Sequence, residues 1–291
     1  RQSGGVLMVD GAATDPAVAA GNDLTILKLG GSVITDKDSP ETVDDAALDS
    51  VVAAIANSGV AGDDEAGSVA DDANPAGGDA ADPAGLIVVH GGGSFGHVHA
   101  AEHGVSTTDG SHDPAAVTAI HGAMKRLNSV VVDRLQAAGV AAVPVHPLST
   151  AARDADADLS LPTAAVAGLR AEGFVPVLHG DIVAHAGEGV TVLSGDELVT
   201  GLADRLDASR MGLCSTVPGV FDNDGDVIET ITDFESVAAA LGDSDSTDVS
   251  GGMAGKVREL LAVRRPARIF GPDAVAGFLA GNDVGTLIDG A

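Results

Sequence analysis

Residues 86–100 read LIVVHGGGSFGHVHA. Four apolar residues and a histidine run straight into three glycines, the pattern of a short strand, buried on both faces, that empties into a tight loop. Two other stretches repeat the design. LTILKLGGS (24–32) ends its apolar run at Gly30-Gly31, and FVPVLHGD (174–181) ends at Gly180. Helical patterns lie between them. PETVDDAALDSVVAAIANSG (40–59) has Pro near its start, acids in its first turn and Gly at its end, and DPAAVTAIHGAMKRLNSVVVDRLQAAG (113–139) also closes on glycine. Strands alternating with helices in this way make a parallel sheet. In an open parallel sheet, ligands gather beyond the carboxyl ends of the strands. The glycine loops are therefore expected along one edge, together.

The rest of the chain keeps the rhythm. VAAVPV (140–145) reads as a buried strand, DIVAH and GVTVLSGD flank Gly187 as a hairpin, and SGDELVTGLADRLDAS (194–209) opens a helix with a Ser-x-x-Glu capping pattern. RMGLCSTV (210–217) is a strand leading to a turn-rich loop. A Gly-Gly turn, a helix over 253–265, the strand ARIF, a short helix and the strand VGTLI complete the tail. No tandem repeat interrupts this order. Residues 60–85, acidic and rich in Gly and Pro, read as a solvated surface insertion. Residues 1–22 read as an upstream, disordered extension.

Composition narrows the function. The chain has 291 residues, 43 acidic against 15 basic, and a formal net charge of −28. That balance argues against a nucleic-acid partner and suits concentrated salt, where screening shortens to about 3 Å at molar ionic strength. A halophilic cytoplasm is the expected setting. No apolar stretch approaches a membrane span, and the N-terminus carries no secretion signal. One cysteine, Cys214, excludes an internal disulfide and a thiolate metal cluster.

Only four lysines exist: Lys28, Lys37, Lys125 and Lys256. On a surface that has shed its lysines, those that remain are candidates for work that needs an ammonium group. KLGGSVITDK (28–37) sets two of them around Gly30, Gly31 and Ser32, a turn whose backbone N–H groups can face phosphate oxygens. It lacks the GxxxxGK[ST] spacing of a Walker loop. HGGGSFGH (90–97) makes a second anion-binding turn and ends at His97. DVSGGMAGKV (248–257) makes a third, opening a helix that carries Lys256. Two such turns on one sheet edge suggest transfer between two anions. HGD (179–181) and SGD (194–196) place Asp181 and Asp196 nearby, and either could hold lysines or position Mg²⁺. His97, His99 and His103 have metal-compatible spacing but no completing acidic or cysteine ligand, so no metal-ligand set is assigned.

These motifs, in this order, resemble the isopentenyl phosphate kinases of the amino-acid kinase superfamily, over nearly all of residues 24–289 except the insertion. The resemblance implies a three-layer αβα sandwich around an open, mainly parallel sheet, with an acceptor-binding lobe over 23–190 and a nucleotide-binding lobe over 191–291. It implies transfer of the γ-phosphate of MgATP to isopentenyl phosphate, in isoprenoid synthesis, by a homodimer of archaeal type. Carried over by position, Lys28, Gly30, Gly31 and Ser32 contact the ATP phosphates, and Lys37 stabilises the transferring group. Gly92 and Gly93 lie between donor and acceptor, and His97 holds the acceptor phosphate. Gly180 lines the acceptor site, Asp181 orients the lysines, and Asp196, Gly251 and Lys256 belong to the nucleotide side. CSTVPGVFD (214–222) departs from the family pattern, with Thr216 and Val217 where an Asp is usual, and GHVHA departs from the usual Gly-His-Pro. The alternatives are a kinase of the same fold acting on a phosphonate or another small anion, and a non-catalytic nucleotide- or anion-binding protein.

Overall fold

The computed structural model describes residues 24–59, 85–241, 252–263 and 265–290. The expectations for residues 1–22, for nearly all of the acidic insertion and for Gly251 fall outside these residues.

The strand β1 (Thr25–Leu29) leads into a single helical turn, α1 (Gly31–Ile34), and then α2 (Asp45–Ala56). Next come β2 (Leu86–His90), α3 (Gly93–Glu102), α4 (Pro114–Ala137) and β3 (Ala142–Pro144). The short strands β4 (Ala152–Arg153) and β5 (Leu159–Ser160) precede α5 (Ala164–Ala171), β6 (Val175–His179), β7 (Asp181–His185) and β8 (Gly189–Leu193). After α6 (Gly195–Leu206) follow β9 (Arg210–Cys214), β10 (Thr230–Ile231), α7 (Ala238–Leu241), α8 (Gly252–Ala262), β11 (Ala267–Phe270), α9 (Val275–Leu279) and β12 (Thr286–Ile288).

Among the described residues, eight strands form the main sheet in the order β10-β12-β11-β9-β1-β2-β6-β3. Every pairing is parallel except β11 with β12. Alternation along the central strands feeds two cores. Leu27, Leu29, Leu86 and Val88 pack on one face beneath α2, α4 and α9. Ile26, Ile87 and Val89 pack on the other beneath α5, α6 and α8. Strands buried on both faces need apolar residues at every position, which is why LTILKL and LIVV are unbroken runs. The result is the expected three-layer sandwich. A four-stranded sheet, β5-β4-β7-β8, with the predicted hairpin inside it, packs beside α3 and α4 through Ile182, Ala100 and Ile120. The lobe boundary expected at 190/191 falls inside β8.

Caps explain the helix starts. Ser194 accepts from the Glu197 backbone N–H at 3.0 Å, and Asp113 from that of Ala115 ahead of Pro114. The helix expected from Pro40 begins only at Asp45, because the Asp44 side chain caps it by accepting from the Ala47 N–H. Residues 40–43 instead close a loop, with Val43 bridging back to Thr35. In the region 146–173, β4 and β5 are two residues each and α5 is eight, too short for their patterns to stand out in the sequence. Among the described residues, no helix is long and apolar enough to cross a membrane.

Candidate active site

Adjacent parallel strands β9, β1, β2 and β6 end at Cys214, Leu29, His90 and His179, so the loops that follow are held at one edge by the sheet register. The Gly30-Gly31 and Gly91–Gly93 turns meet there backbone to backbone. A Cβ on Gly31 would stand 2.1 Å from the Gly93 nitrogen, and one on Gly91 would stand 2.7 Å from the Gly31 nitrogen. Gly93 also has φ +47, and its Cβ would stand 2.1 Å from the Thr35 hydroxyl oxygen. The glycines are thus required for contact between the two turns, besides anything they do for a ligand. Thr35 staples the pair: its hydroxyl donates to the Gly31 carbonyl at 2.8 Å and accepts from the Ser94 N–H at 3.0 Å.

Above these turns opens a cavity of about 740 Å³. Lys28, Gly30, Gly31, Ser32 and Lys37 line it from the first turn, and Gly92, Gly93 and His97 from the second. Gly180 and Asp181 contribute from β6–β7, Asp196 from α6 and Lys256 from α8. Every side chain given a role by the family resemblance therefore borders one space, as does each such glycine other than Gly251; of the four lysines only Lys125 does not line it. Ser215, Thr216 and Val217 border it as well, and Val98, Ile120, Met124 and Val192 supply an apolar wall. A Cβ on Gly92 would stand 3.2 Å from the Gly96 Cα, a tight approach, and 3.4 Å from the His97 ring, an ordinary contact.

The electrostatics of this space oppose those of the whole chain. Lys28 is 6% exposed and its Nζ lies 2.6 Å from Asp196 Oδ1, while Lys256 Nζ lies 3.7 Å from Oδ2. Burial pushes the Asp196 carboxyl up, but the two ammonium groups, Lys28 first, outweigh it and hold the carboxyl below its usual range. One carboxylate thus steadies two cations, and with Asp181 counted the lining's three lysines exceed its carboxylates by one charge. The first turns of α3, α6 and α8 also border the cavity, and helix N-termini carry partial positive charge suited to anions.

Asp181 plays a different part from the one expected. Its carboxylate accepts from the His121 ring Nδ1 at 2.9 Å, the Ile182 N–H at 2.9 Å and, more weakly, the Leu148 N–H at 3.5 Å. The carboxylate that orients lysines is Asp196. The two Asp-after-Gly motifs look alike in sequence, but Asp196 sits in the first turn of a helix that faces β1, whereas Asp181 starts a strand under α4.

Two histidines set the loop carbonyls. His90 Nδ1 lies 3.1 Å from the Gly91 carbonyl and His179 Nδ1 lies 2.9 Å from that of Gly180. A carbonyl only accepts, so Nδ1 carries the hydrogen in both rings. Burial drives the His90 pKa down to about 4, leaving a neutral ring whose Nε2 accepts. The Asn128 amide faces that nitrogen at 3.0 Å; with Oδ1 turned toward it, Nδ2 has no partner. Rotating the amide so that Nδ2 donates satisfies the contact. His179 Nε2 likewise accepts from His146 Nδ1 at 2.9 Å. Sequence reasoning gives no role to His90, His121, His146, Asn128 or Thr35. The recurrence of His-Gly at two strand ends, His90-Gly91 and His179-Gly180, is the one local signal that could have found this system.

Other chemistries fit poorly. Cys214 borders the cavity, but burial and then Asp273 push its thiol up to about 12, so it is no nucleophile at neutral pH. His99 engages Glu41 and Glu102 rather than joining His97. Among the described residues, no group of three or more His, Cys, Asp or Glu could hold a metal ion. A Mg²⁺ ion arriving with a nucleotide would take its ligands chiefly from phosphate oxygens.

The chain is similar to known proteins over most of its length. The chain is 57% identical over 267 residues to the isopentenyl phosphate kinase of Haloferax volcanii, covering 92% of this chain and 99% of that protein. It is 34% identical to the isopentenyl phosphate kinase of Methanothermobacter thermautotrophicus, covering 82% and 86%. An X-ray structure of an isopentenyl phosphate kinase superposes with a TM-score of 0.72 at 27% identity, covering 90% of this chain and 98% of the other. Residues 23–269 match the model of the amino acid kinase family, and the chain belongs to that family.

Proposed function

We propose that this protein transfers the γ-phosphoryl group of ATP to isopentenyl phosphate, giving isopentenyl diphosphate and ADP. The observation that carries the reading is the placement of His97 in one cavity with Lys28, Lys37 and Lys256, above two glycine turns in backbone contact. The kinases named above supply the acceptor: isopentenyl phosphate is in the names of relatives that match nearly the whole chain. In this reading residues 191–291 hold the nucleotide, with Asp196, Gly251 and Lys256 on its phosphate side, and residues 23–190 hold the acceptor. His97 donates to the acceptor phosphate, Gly180 lines that site, and Asp181 holds the acceptor wall through His121. The apolar wall of Val98, Ile120, Met124 and Val192 suits an isoprenoid tail.

No general base is needed. A phosphate monoester has its second pKa near ~6, so at neutral pH its oxygen is already a nucleophile. Phosphoryl transfer passes through a loose transition state, and catalysis is mostly alignment and charge neutralisation. Lys28 and Lys256, held by Asp196, and Lys37 supply fixed ammonium groups. Mg²⁺, carried in by ATP, would add charge neutralisation on the phosphates. A homodimer in a salt-rich cytoplasm belongs to the same proposal, on the strength of the family resemblance and the net charge.

The test is a coupled ADP-release assay in molar KCl with isopentenyl phosphate, a small phosphonate, UMP and glutamate offered separately. Turnover of isopentenyl phosphate well above the others is the expected result. Turnover of glutamate or UMP without isopentenyl phosphate would refute the assignment, and preference for the phosphonate would favour the alternative acceptor class.

A further inference from the structure

Residues 36–42 carry Lys37 to the cavity, and they are held more firmly than a surface turn requires. At their base Thr35 bridges Val43, and the Asp36 N–H donates to the Thr42 carbonyl at 3.0 Å. Within the loop, Glu41 has φ +48. A left-handed backbone is costly for a residue with a long side chain, by about 1 kcal/mol or more, and persists only where surrounding contacts impose it. Those contacts are present. The Glu41 N–H donates to the Ser94 carbonyl at 3.1 Å. Arg126, on α4, donates through Nε and Nη2 to the Glu41 carboxylate at 3.0 and 2.7 Å. His99, on α3, reaches the same carboxylate at 2.6 Å. Ser94 itself stands on the Gly91–Gly93 turn and exchanges weaker hydrogen bonds with Thr42.

An exposed ion pair alone contributes little. Here a two-point guanidinium fork, an imidazole and a backbone bond converge on one residue, which gives the contact direction as well as energy. We propose that Glu41 is a positioning residue: clasped by Arg126 and His99 against α3 and α4, it fixes the loop that sets Lys37 over the cavity. The inference rests on the kinase reading in taking Lys37 as an ammonium group for the transferring phosphoryl.

Two measurements test it. In steady-state turnover, Glu41→Gln and Arg126→Met should each lower kcat by about fivefold, with KM for ATP within about twofold of the parent, because small misplacements of an aligned group are costly in rate. If the clasp acts through Lys37, Arg126→Met should add nothing further to Lys37→Ala. Parental turnover in both clasp variants, or losses that multiply in the double variant, would overturn the proposal. The second measurement does not depend on activity. A lysine-specific endoprotease has one exposed loop site here, Lys37, since Lys28 is buried and Lys125 and Lys256 lie in helices. Cleavage after Lys37 should be ~10-fold faster in Arg126→Met as the loop opens, while an unchanged cleavage rate would overturn the clasp. If the parent turns over no isopentenyl phosphate, the functional reading falls and cleavage alone decides whether the clasp holds the loop.

Discussion

Replacing Asp196 with asparagine keeps the side-chain volume and removes one charge from the most buried ion cluster of the site. At 2.6 Å from Lys28 and 3.7 Å from Lys256, and with an effective dielectric near 20, Coulomb attraction is about 6 and about 4.5 kcal/mol. Desolvation of the ions offsets several kcal/mol of this. What the variant loses is larger than the net worth of the cluster, because Lys28 is left buried without a counterion. Breaking one side of such a pair costs roughly 3–5 kcal/mol. At about 2 °C per kcal/mol for a chain of this size, Tm should fall by about 6–10 °C. Thermal unfolding in molar KCl measures this, and added salt should not erase the difference, since a buried pair is poorly screened. Adding Lys28→Met to Asp196→Asn should recover at least half of the loss. The sign with pH follows from the depressed folded pKa. The stabilisation is complete at neutral pH, is lost as pH falls through the folded value, and the gap between parent and variant should close in acid. A Tm within about 2 °C of the parent at neutral pH, or no recovery in the double variant, would refute this account of the cluster.

Three further predictions follow from the site. His97→Ala should raise KM for the acceptor by about tenfold or more while KM for ATP stays within about twofold, consistent with one lost charge-assisted hydrogen bond; equal losses would contradict its placement on the acceptor. Gly31→Ala should abolish turnover and lower Tm, because its Cβ meets backbone at 2.1 Å, whereas Gly168→Ala, in α5 with nothing within 4 Å, should stabilise by about 0.5–1 kcal/mol. His90 is buried and its pKa is depressed to about 4, so folding stability should drop by up to ~3 kcal/mol as pH falls from 6.5 toward 4. His90→Asn, which keeps a donor near the Nδ1 position, should flatten that fall and retain more activity than His90→Gln; acid titration of the unfolding midpoint decides it.

Most of the architecture was legible because its signals are local. An apolar run that stops at glycine states both the strand and the loop, and Ser194 three residues before Glu197 states a helix start. The four lysines were legible for a compositional reason, since a strongly acidic chain keeps few of them. Less legible was anything that depends on which two turns face each other. Asp181 and Asp196 each follow a glycine, and nothing near them in sequence distinguishes the one that meets Lys28 from the one that meets His121. The start of α2 was misplaced because Pro40 resembles an N1 proline; the Asp44 cap is local, to the Ala47 N–H, but the left-handed Glu41 that keeps residues 40–43 in a loop depends on Ser94, His99 and Arg126, all more than 50 residues away.

The α/β layering, the glycine turns at the strand ends and the short list of cations follow from periodicity, backbone freedom and composition, which can be read along the chain without knowing its partners. That Gly31 and Gly93 touch, that Asp196 holds two lysines, and that His90 and His179 pin the loop carbonyls emerges with the packed fold. Those facts are set by sheet register and helix packing, which bring together residues that carry no local mark of one another.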